Sequence, residues 1–241
     1  MLNTRAPLIG LIGPIGCGKS TVAGWLAARG AAVVDADELT REVMAPGTPV
    51  SQAVIAHFGG EYRRADGSLD RVALGRLVFA DPVRLAELES IVHPAVAGML
   101  EASIHAADAR GPADARGPAD TRGPADTRGP ADTRGPAAPA APANPVAPVA
   151  IVLEAIKLVE AGHGPWCDEI WLIVCDPKAQ LARLIDRGIA EPDARQRIAA
   201  QAASLKLWRA AATRTIRTDG PVDAVEHGVD AALAETLARR R

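Results

Sequence analysis

Gly13-Pro14-Ile15-Gly16-Cys17-Gly18-Lys19-Ser20-Thr21 fits the pattern G-x-x-x-x-G-K-[ST], and its flanks supply the context that pattern requires. Before it, the apolar run Leu8, Ile9, Leu11, Ile12 reads as a buried strand. After it, Val22, Trp25 and Leu26 fall at helical spacing, with Gly30 placed to end the helix. Strand, glycine-rich turn and helix together form an anion-binding device. Glycines let successive backbone N–H groups turn inward, and the helix N-terminus adds a favourable partial charge. In such a loop the Lys19 ammonium reaches the β- and γ-phosphates of a nucleoside triphosphate, and the Ser20 hydroxyl ligates Mg²⁺. Cys17 sits within the turn at a helix N-terminus, a position that favours thiolate, although a small residue there needs no chemical role.

The whole chain bounds what that loop serves. Its 241 residues and 48% hydrophobic content are enough for a substantial core. The formal net charge of −2 gives no general electrostatic reason to bind nucleic acid or an anionic membrane, so small-molecule partners are expected. Three cysteines, Cys17, Cys167 and Cys175, show neither metal spacing nor an even disulfide framework, as in a reducing compartment. No secretory leader pattern and no apolar run of membrane-spanning length stand out. A cytoplasmic protein, monomeric in the simplest case, is the expectation.

A second strand, Ala31 to Val34, ends in Asp35-Ala36-Asp37. Ligands of a parallel sheet gather outside the carboxyl ends of its strands, so these carboxylates are expected on the same side as the phosphate loop. Helix capping by Asp37 is the competing reading, since a helical pattern runs from Glu38 through Val43. A kinase needs a carboxylate to orient the attacking hydroxyl and take its proton, which favours Asp37 for that work. Residues 50 to 105 then read as helices punctuated by Gly59-Gly60, the turn around Asp66-Gly67 and His93-Pro94, where one helix is expected to stop and the next to begin. His93 by itself reads as a capping or packing histidine.

From Ala107 to Pro136 one hexapeptide occurs five times, ADARGP twice and ADTRGP three times, and a Pro/Ala tail continues to Pro148. It has almost no large apolar side chains, its Asp and Arg charges cancel, and its prolines interrupt any regular helix or central strand. A disordered insertion over 107–148 is therefore expected. Order should return with the near-continuous apolar run from Val149 to Leu153, closed by the carboxylate of Glu154 at a strand end. A further strand, Ile170 to Cys175, leads into Asp176-Pro177, a helix-opening pair. Arg183 and Arg187 are four apart and share a helix face. Gly188 and Pro192 break the chain before another helix from about Asp193 to Leu207. Arginines on such a hinged pair, spanning 176–207, suit a lid that closes over phosphates. A strand near Thr213 to Thr218 and a helix from Val222 to Ala238 complete an α/β unit.

The series as a whole resembles the dephospho-coenzyme A kinase family. The matching residues are the loop at 13–21, Val34 to Asp37, Pro46-Gly47-Thr48-Pro49, Phe58-Gly59, Asp66 to Arg71, Val78-Phe79, Leu88-Glu89 and His93-Pro94. The match resumes after the repeat at Leu158-Val159-Glu160, Gln180-Leu181, Arg183, Arg187, Arg197-Ile198 and Gln201. This resemblance implies the P-loop NTPase fold: a five-stranded parallel sheet flanked by helices, with an acceptor-binding helical excursion over 38–105 and a lid. It implies transfer of the ATP γ-phosphoryl group to the ribose 3′-hydroxyl of dephospho-CoA with Mg²⁺. Asp37, Lys19 and Arg183 would be the catalytic residues. Gly13 to Thr21 with Arg187 would bind ATP, Asp35, Asp37, His93 and Glu154 the acceptor, and Ser20 and Glu154 the metal, Glu154 directly or through water. Two departures stand out. Glu154-Ala155-Ile156-Lys157-Leu158 replaces the family's aspartate followed by Ile-Pro-Leu-Leu, and Thr218-Asp219-Gly220 replaces its Asn-Gly. Another small-molecule P-loop kinase is the nearest alternative. A switch-type NTPase is disfavoured because the guanine-reading Asn-Lys-x-Asp is missing from the sequence.

Overall fold

The computed structural model describes residues 2–109 and 147–240. Five strands form one sheet: β1 (Leu8–Ile12), β2 (Ala32–Asp35), β3 (Ile151–Glu154), β4 (Glu169–Val174) and β5 (Arg214–Arg217), in spatial order β2-β3-β1-β4-β5. The pairs β1–β3, β1–β4 and β4–β5 are parallel. All five residues of β1 are buried, as expected for a central strand covered on both faces. Gly10 at its midpoint has no space for a side chain: a Cβ there would stand 2.5 Å from Leu158 Cδ2 and 2.9 Å from Cys167 Sγ.

Helices cover the sheet. α1 (Lys19–Ala28) follows the phosphate loop, and α6 (Pro177–Asp186), α7 (Glu191–Ala211) and α8 (Val222–Arg239) follow β4 and β5. Ile9, Leu11, Val22, Leu26, Val152, Trp171 and Val229 belong to one core of sheet and helix side chains. Trp171 and Trp208 are fully buried, and their indole N–H groups donate to Glu169 at 2.8 Å and Glu160 at 3.0 Å. The burial of these two large rings thus leaves no orphaned donor.

The chain divides into two compact units, Met1–Val34 with Ile104–Arg241, and Asp35–Ser103. The second is helical: α2 (Ala36–Val43), α3 (Pro49–Phe58), α4 (Arg71–Ala80) and most of α5 (Pro82–Ala109). Its helix starts carry side-chain caps. Asp35 caps α2, Thr48 caps α3 and Asp70 caps α4, each satisfying amide donors that a first helical turn leaves unpaired.

Two expectations are corrected here. His93-Pro94 does not separate two helices, because α5 runs unbroken with Pro94 inside it. Val92, Val96, Leu100 and Ile104 are all buried at four-residue intervals, so one apolar stripe continues across the proline and outweighs the lost hydrogen bond. The low-complexity insertion does not begin at Ala107 either. α5 extends through Ala109, and Asp108, in the first copy of the hexapeptide, is buried with its carboxylate on the backbone N–H groups of Arg5 and Ala6. The remainder of the expected disordered segment, 110–146, lies outside the described residues. Where the chain resumes, Val149 N donates to Gly30 O and Ile151 N to Pro7 O. Both ends of the segment are therefore tied near the N-terminal edge of the sheet, opposite the phosphate loop at the carboxyl edge.

Candidate active site

Within the loop, Gly13, Gly16 and Gly18 have φ of 144°, 77° and 86°, conformations that residues with a Cβ rarely adopt. Gly13 is also fixed by sterics, since a Cβ there would run into the carbonyl oxygen of Ile173 on β4. Gly18 is the residue before α1, so the turn empties directly onto a helix N-terminus. Lys19 is buried, and its ammonium donates to Gly13 O at 2.8 Å and Pro14 O at 3.4 Å. The lysine thereby closes the loop on itself and is held beneath the turn.

Three further anchors come from residues distant in sequence. Ile15, at the apex of the loop, donates its N–H to Gln201 Oε1 on α7 and accepts from Gln180 Nε2 on α6, both at 2.8 Å. Thr218, just past β5, donates its hydroxyl to Cys17 O at 2.7 Å. Arg183 on α6 binds that same Thr218, Nη1 to Oγ1 at 3.1 Å and Nη2 to the carbonyl at 2.5 Å. Arg183 is therefore tethered to the loop through one threonine, whereas Arg187, the residue following α6, is exposed. Gln180, Gln201 and Thr218 are the residues whose part the sequence reading missed. Gln180 and Gln201 stood only among family matches, and Thr218 stood only as a departure.

Ser20 and Glu154 come together: the serine hydroxyl donates to Glu154 Oε1 at 2.9 Å. The pairing of Leu11 with Glu154 across β1 and β3 sets this approach. β3 delivers its terminal carboxylate beside the place where β1 turns into the loop. Among the described residues no group of three or more His, Cys, Asp or Glu side chains could form a metal cage.

Asp35, not Asp37, caps α2, with its Oδ1 accepting from Asp37 N at 2.8 Å and Glu38 N at 3.1 Å. Asp37 lies within the first turn, on an exposed site. Capping by Asp37 is thus replaced by capping two residues earlier, because the strand ends at Asp35 and the extended φ and ψ of that residue let its side chain reach forward. His93 is half-buried within α5.

Cys17 and Cys175, the residue after β4, meet with their sulfurs 2.7 Å apart. The hydrogen bond from Cys175 holds the Cys17 thiol below its ordinary range against the opposing effect of burial, and the same bond pushes Cys175 up.

Known proteins bear on this geometry. The family profile described as dephospho-CoA kinase (CoaE) matches residues 7–112. A dephospho-CoA kinase of Symbiobacterium thermophilum is 37% identical over 226 residues, 93% of this chain and 79% of its own. Among solved structures, that of TT1252 from Thermus thermophilus superimposes with a TM-score of 0.68 at 27% identity, covering 95% of this chain and 97% of its own. That of a dephospho-CoA kinase from Campylobacter jejuni does so with a TM-score of 0.60 at 15% identity, covering 97% and 98%, a likeness of fold alone. With a phosphate loop of this geometry and a relative 37% identical over 93% of this chain, the chain belongs to the dephospho-CoA kinase family.

Proposed function

We infer that the protein transfers the γ-phosphoryl group of ATP to the ribose 3′-hydroxyl of dephospho-CoA, giving CoA and ADP. Family membership supplies the reaction, and the 2.9 Å approach of Ser20 to Glu154 beside the loop is the observation that carries the site. A hydroxyl and a carboxylate oxygen are hard donors of the kind Mg²⁺ takes when phosphates and waters complete its shell, so these two residues fit a Mg²⁺ ion carried by the nucleotide. When bound, that ion would neutralise charge on the β- and γ-phosphates.

The chain's own residues supply the rest. Backbone N–H groups of Gly16 to Thr21 bind phosphate oxygens, and Lys19 leaves its loop carbonyls for the β- and γ-phosphates. Arg183 lies one threonine away from the loop and offsets charge on the transferring group, with Arg187 assisting at the nucleotide. Asp37 accepts the proton of the 3′-hydroxyl, while Asp35 fixes the start of α2 and so the place of Asp37. Asp35, His93 and Glu154 are assigned to the acceptor side. None of the described helices is long and apolar enough to cross a membrane. We assign the protein to the cytoplasm as a monomer with small-molecule partners, binding neither nucleic acid nor membrane.

Acceptor-dependent ADP release tests the reading. Release should saturate with dephospho-CoA and be missing with nucleoside monophosphates, and Asp37→Asn should bind ATP yet lose most single-turnover transfer. Equal hydrolysis with and without dephospho-CoA would overturn the kinase assignment; near-normal transfer by Asp37→Asn would remove Asp37 from its role.

A further inference from the structure

Two thiols meet beneath the phosphate loop and take no part in phosphoryl transfer. β1 and β4 are neighbours, so the turn after one and the residue after the other emerge side by side. That adjacency sets Cys17 Sγ 2.7 Å from Cys175 Sγ, in a hydrogen bond either sulfur can donate. The gap is only about 0.7 Å more than a disulfide bond of about 2.05 Å. Cys17 is buried and Cys175 half-buried, so one member of the pair borders solvent. The third cysteine provides a contrast. Cys167 packs against Gly10 in the middle of β1, and burial pushes its thiol up to about 12, which leaves it protonated and inert near neutral pH.

We propose that Cys17 and Cys175 form a reversible redox modification site, oxidised by a hydroperoxide to a disulfide that disables the phosphate loop. Cys17 is the attacking sulfur. The hydrogen bond from Cys175 favours its thiolate, and the charges of Lys19 and Arg183 add to that effect. Its electron pair attacks one peroxide oxygen, the O–O bond breaks, and the departing hydroxide takes up a proton to leave as water. The sulfur is left as a sulfenic acid. The Cys175 sulfur then attacks the Cys17 sulfur, the S–O bond breaks, and a second water leaves with the Cys175 proton. In sum, two thiols lose two electrons, the peroxide oxygens gain them, and both thiol protons end in water. A dithiol reverses the bond by exchange.

The consequence for activity follows from where Cys17 lies. It is flanked by Gly16 and Gly18, both in left-handed backbone, and its carbonyl accepts from Thr218. Drawing its sulfur into a bond with a dihedral near 90° reorients its Cβ, and the two flexible glycine joints pass that rotation to the amides that should hold phosphate. Lys19 follows two residues later.

The test treats the intact protein with hydrogen peroxide, quenches with an alkylating agent and maps peptides without reduction, with ADP release measured in parallel. A peptide linking Cys17 to Cys175 is expected, with free Cys167, a loss of at least roughly tenfold in activity, and recovery in dithiothreitol. Cys175→Ser and Cys175→Ala should keep basal turnover and show neither the link nor the recoverable loss. Finding both thiols alkylated after inactivation, a link through Cys167, or linked protein that turns over as before would overturn the proposal. Because the peptide map does not depend on the kinase assignment, failure of that assignment would leave the link itself measurable.

Discussion

Asp108 belongs by sequence to a hexapeptide repeat and by structure to the anchor of the first strand, and replacing it separates the two descriptions. The residue is 8% exposed. Its oxygens accept from Arg5 N at 2.9 and 3.0 Å and from Ala6 N at 2.9 Å. Hydrogen bonds to a charged group contribute about 1.5–3 kcal/mol each, and a buried amide left without a partner costs about 1–3 kcal/mol. Arg5 has a well-exposed side chain and its amide recovers some water, so Asp108→Ala should destabilise by about 2–4 kcal/mol. In a chain of this size that corresponds to a fall in Tm of roughly 5–15 °C. Asp108→Asn keeps one acceptor oxygen and should recover about half of the loss. The 3.8 Å ion pair from Arg5 to Asp108 involves an arginine side chain that is 79% exposed, so Arg5→Ala should change Tm little. The assay is thermal denaturation followed by far-ultraviolet circular dichroism, with ADP release measured well below the transition. There, turnover should be near that of the parent, because this contact sits at the edge of the sheet remote from the loop. Excision of 111–146 with a short flexible join should likewise spare both quantities, whereas excision from 107 should reproduce the Asp108 loss. A Tm for Asp108→Ala within about 2 °C of the parent would refute the reasoning, since even one lost charged hydrogen bond should exceed that.

Two other perturbations test the site and the electrostatics. Gln201→Leu removes the acceptor for Ile15 N while leaving Gln180 on the Ile15 carbonyl. It should raise KM for ATP by roughly five- to thirtyfold, about 1–2 kcal/mol, with a smaller effect on KM for dephospho-CoA; an unchanged KM for ATP would show that the loop apex needs no such tie. At the far end of α1, Arg29 donates to Trp25 O, Glu226 and Asp230, and its hydrogen bond holds the Asp230 carboxyl below its ordinary value. A carboxyl depressed in the folded state contributes stability above its unfolded pKa of about 3.9, and that contribution is lost as pH falls through the folded value. Tm should therefore be nearly flat from about pH 5 to 7 and decline below about pH 4, and Arg29→Met should make the decline shallower; an identical pH profile in the variant would reject this linkage.

The phosphate loop and the strand and helix around it were legible because every local signal agreed. The apolar run, the glycines and the helical spacing were each read from adjacent residues, and tertiary packing had nothing to overrule. The carboxylate of Glu154 was legible for a related reason, since a parallel strand ends on the ligand side whatever its neighbours are. Pro94 and Asp108 show the opposite case. A proline and a repeat are strong local signals, yet the stripe from Val92 to Ile104 and the two amides ahead of β1 draw on contacts the local sequence does not display. Gln180, Gln201 and Thr218 bear no motif, because one amide or hydroxyl that reaches a loop carbonyl or N–H needs only a place, not a pattern.

Cys17 and Cys175 make the point with one additional fact. They are 158 positions apart, and nothing in their spacing relates them. Once the order β2-β3-β1-β4-β5 is known, the residues following β1 and β4 must lie together at the carboxyl edge. Strand order, and not strand number alone, is what brings the two cysteines together. Strand order also decides which loops can touch the phosphate loop at all. β3 and β4 flank β1, so Glu154 and Cys175 reach the loop directly. β5 is one strand farther out, and its contribution, Thr218, bridges to Arg183 as well as to the Cys17 carbonyl. The arginine's link to the loop thus runs through Thr218. A threonine hydroxyl can accept from the guanidinium and donate to the carbonyl at once, so one side chain just past β5 holds loop and arginine together.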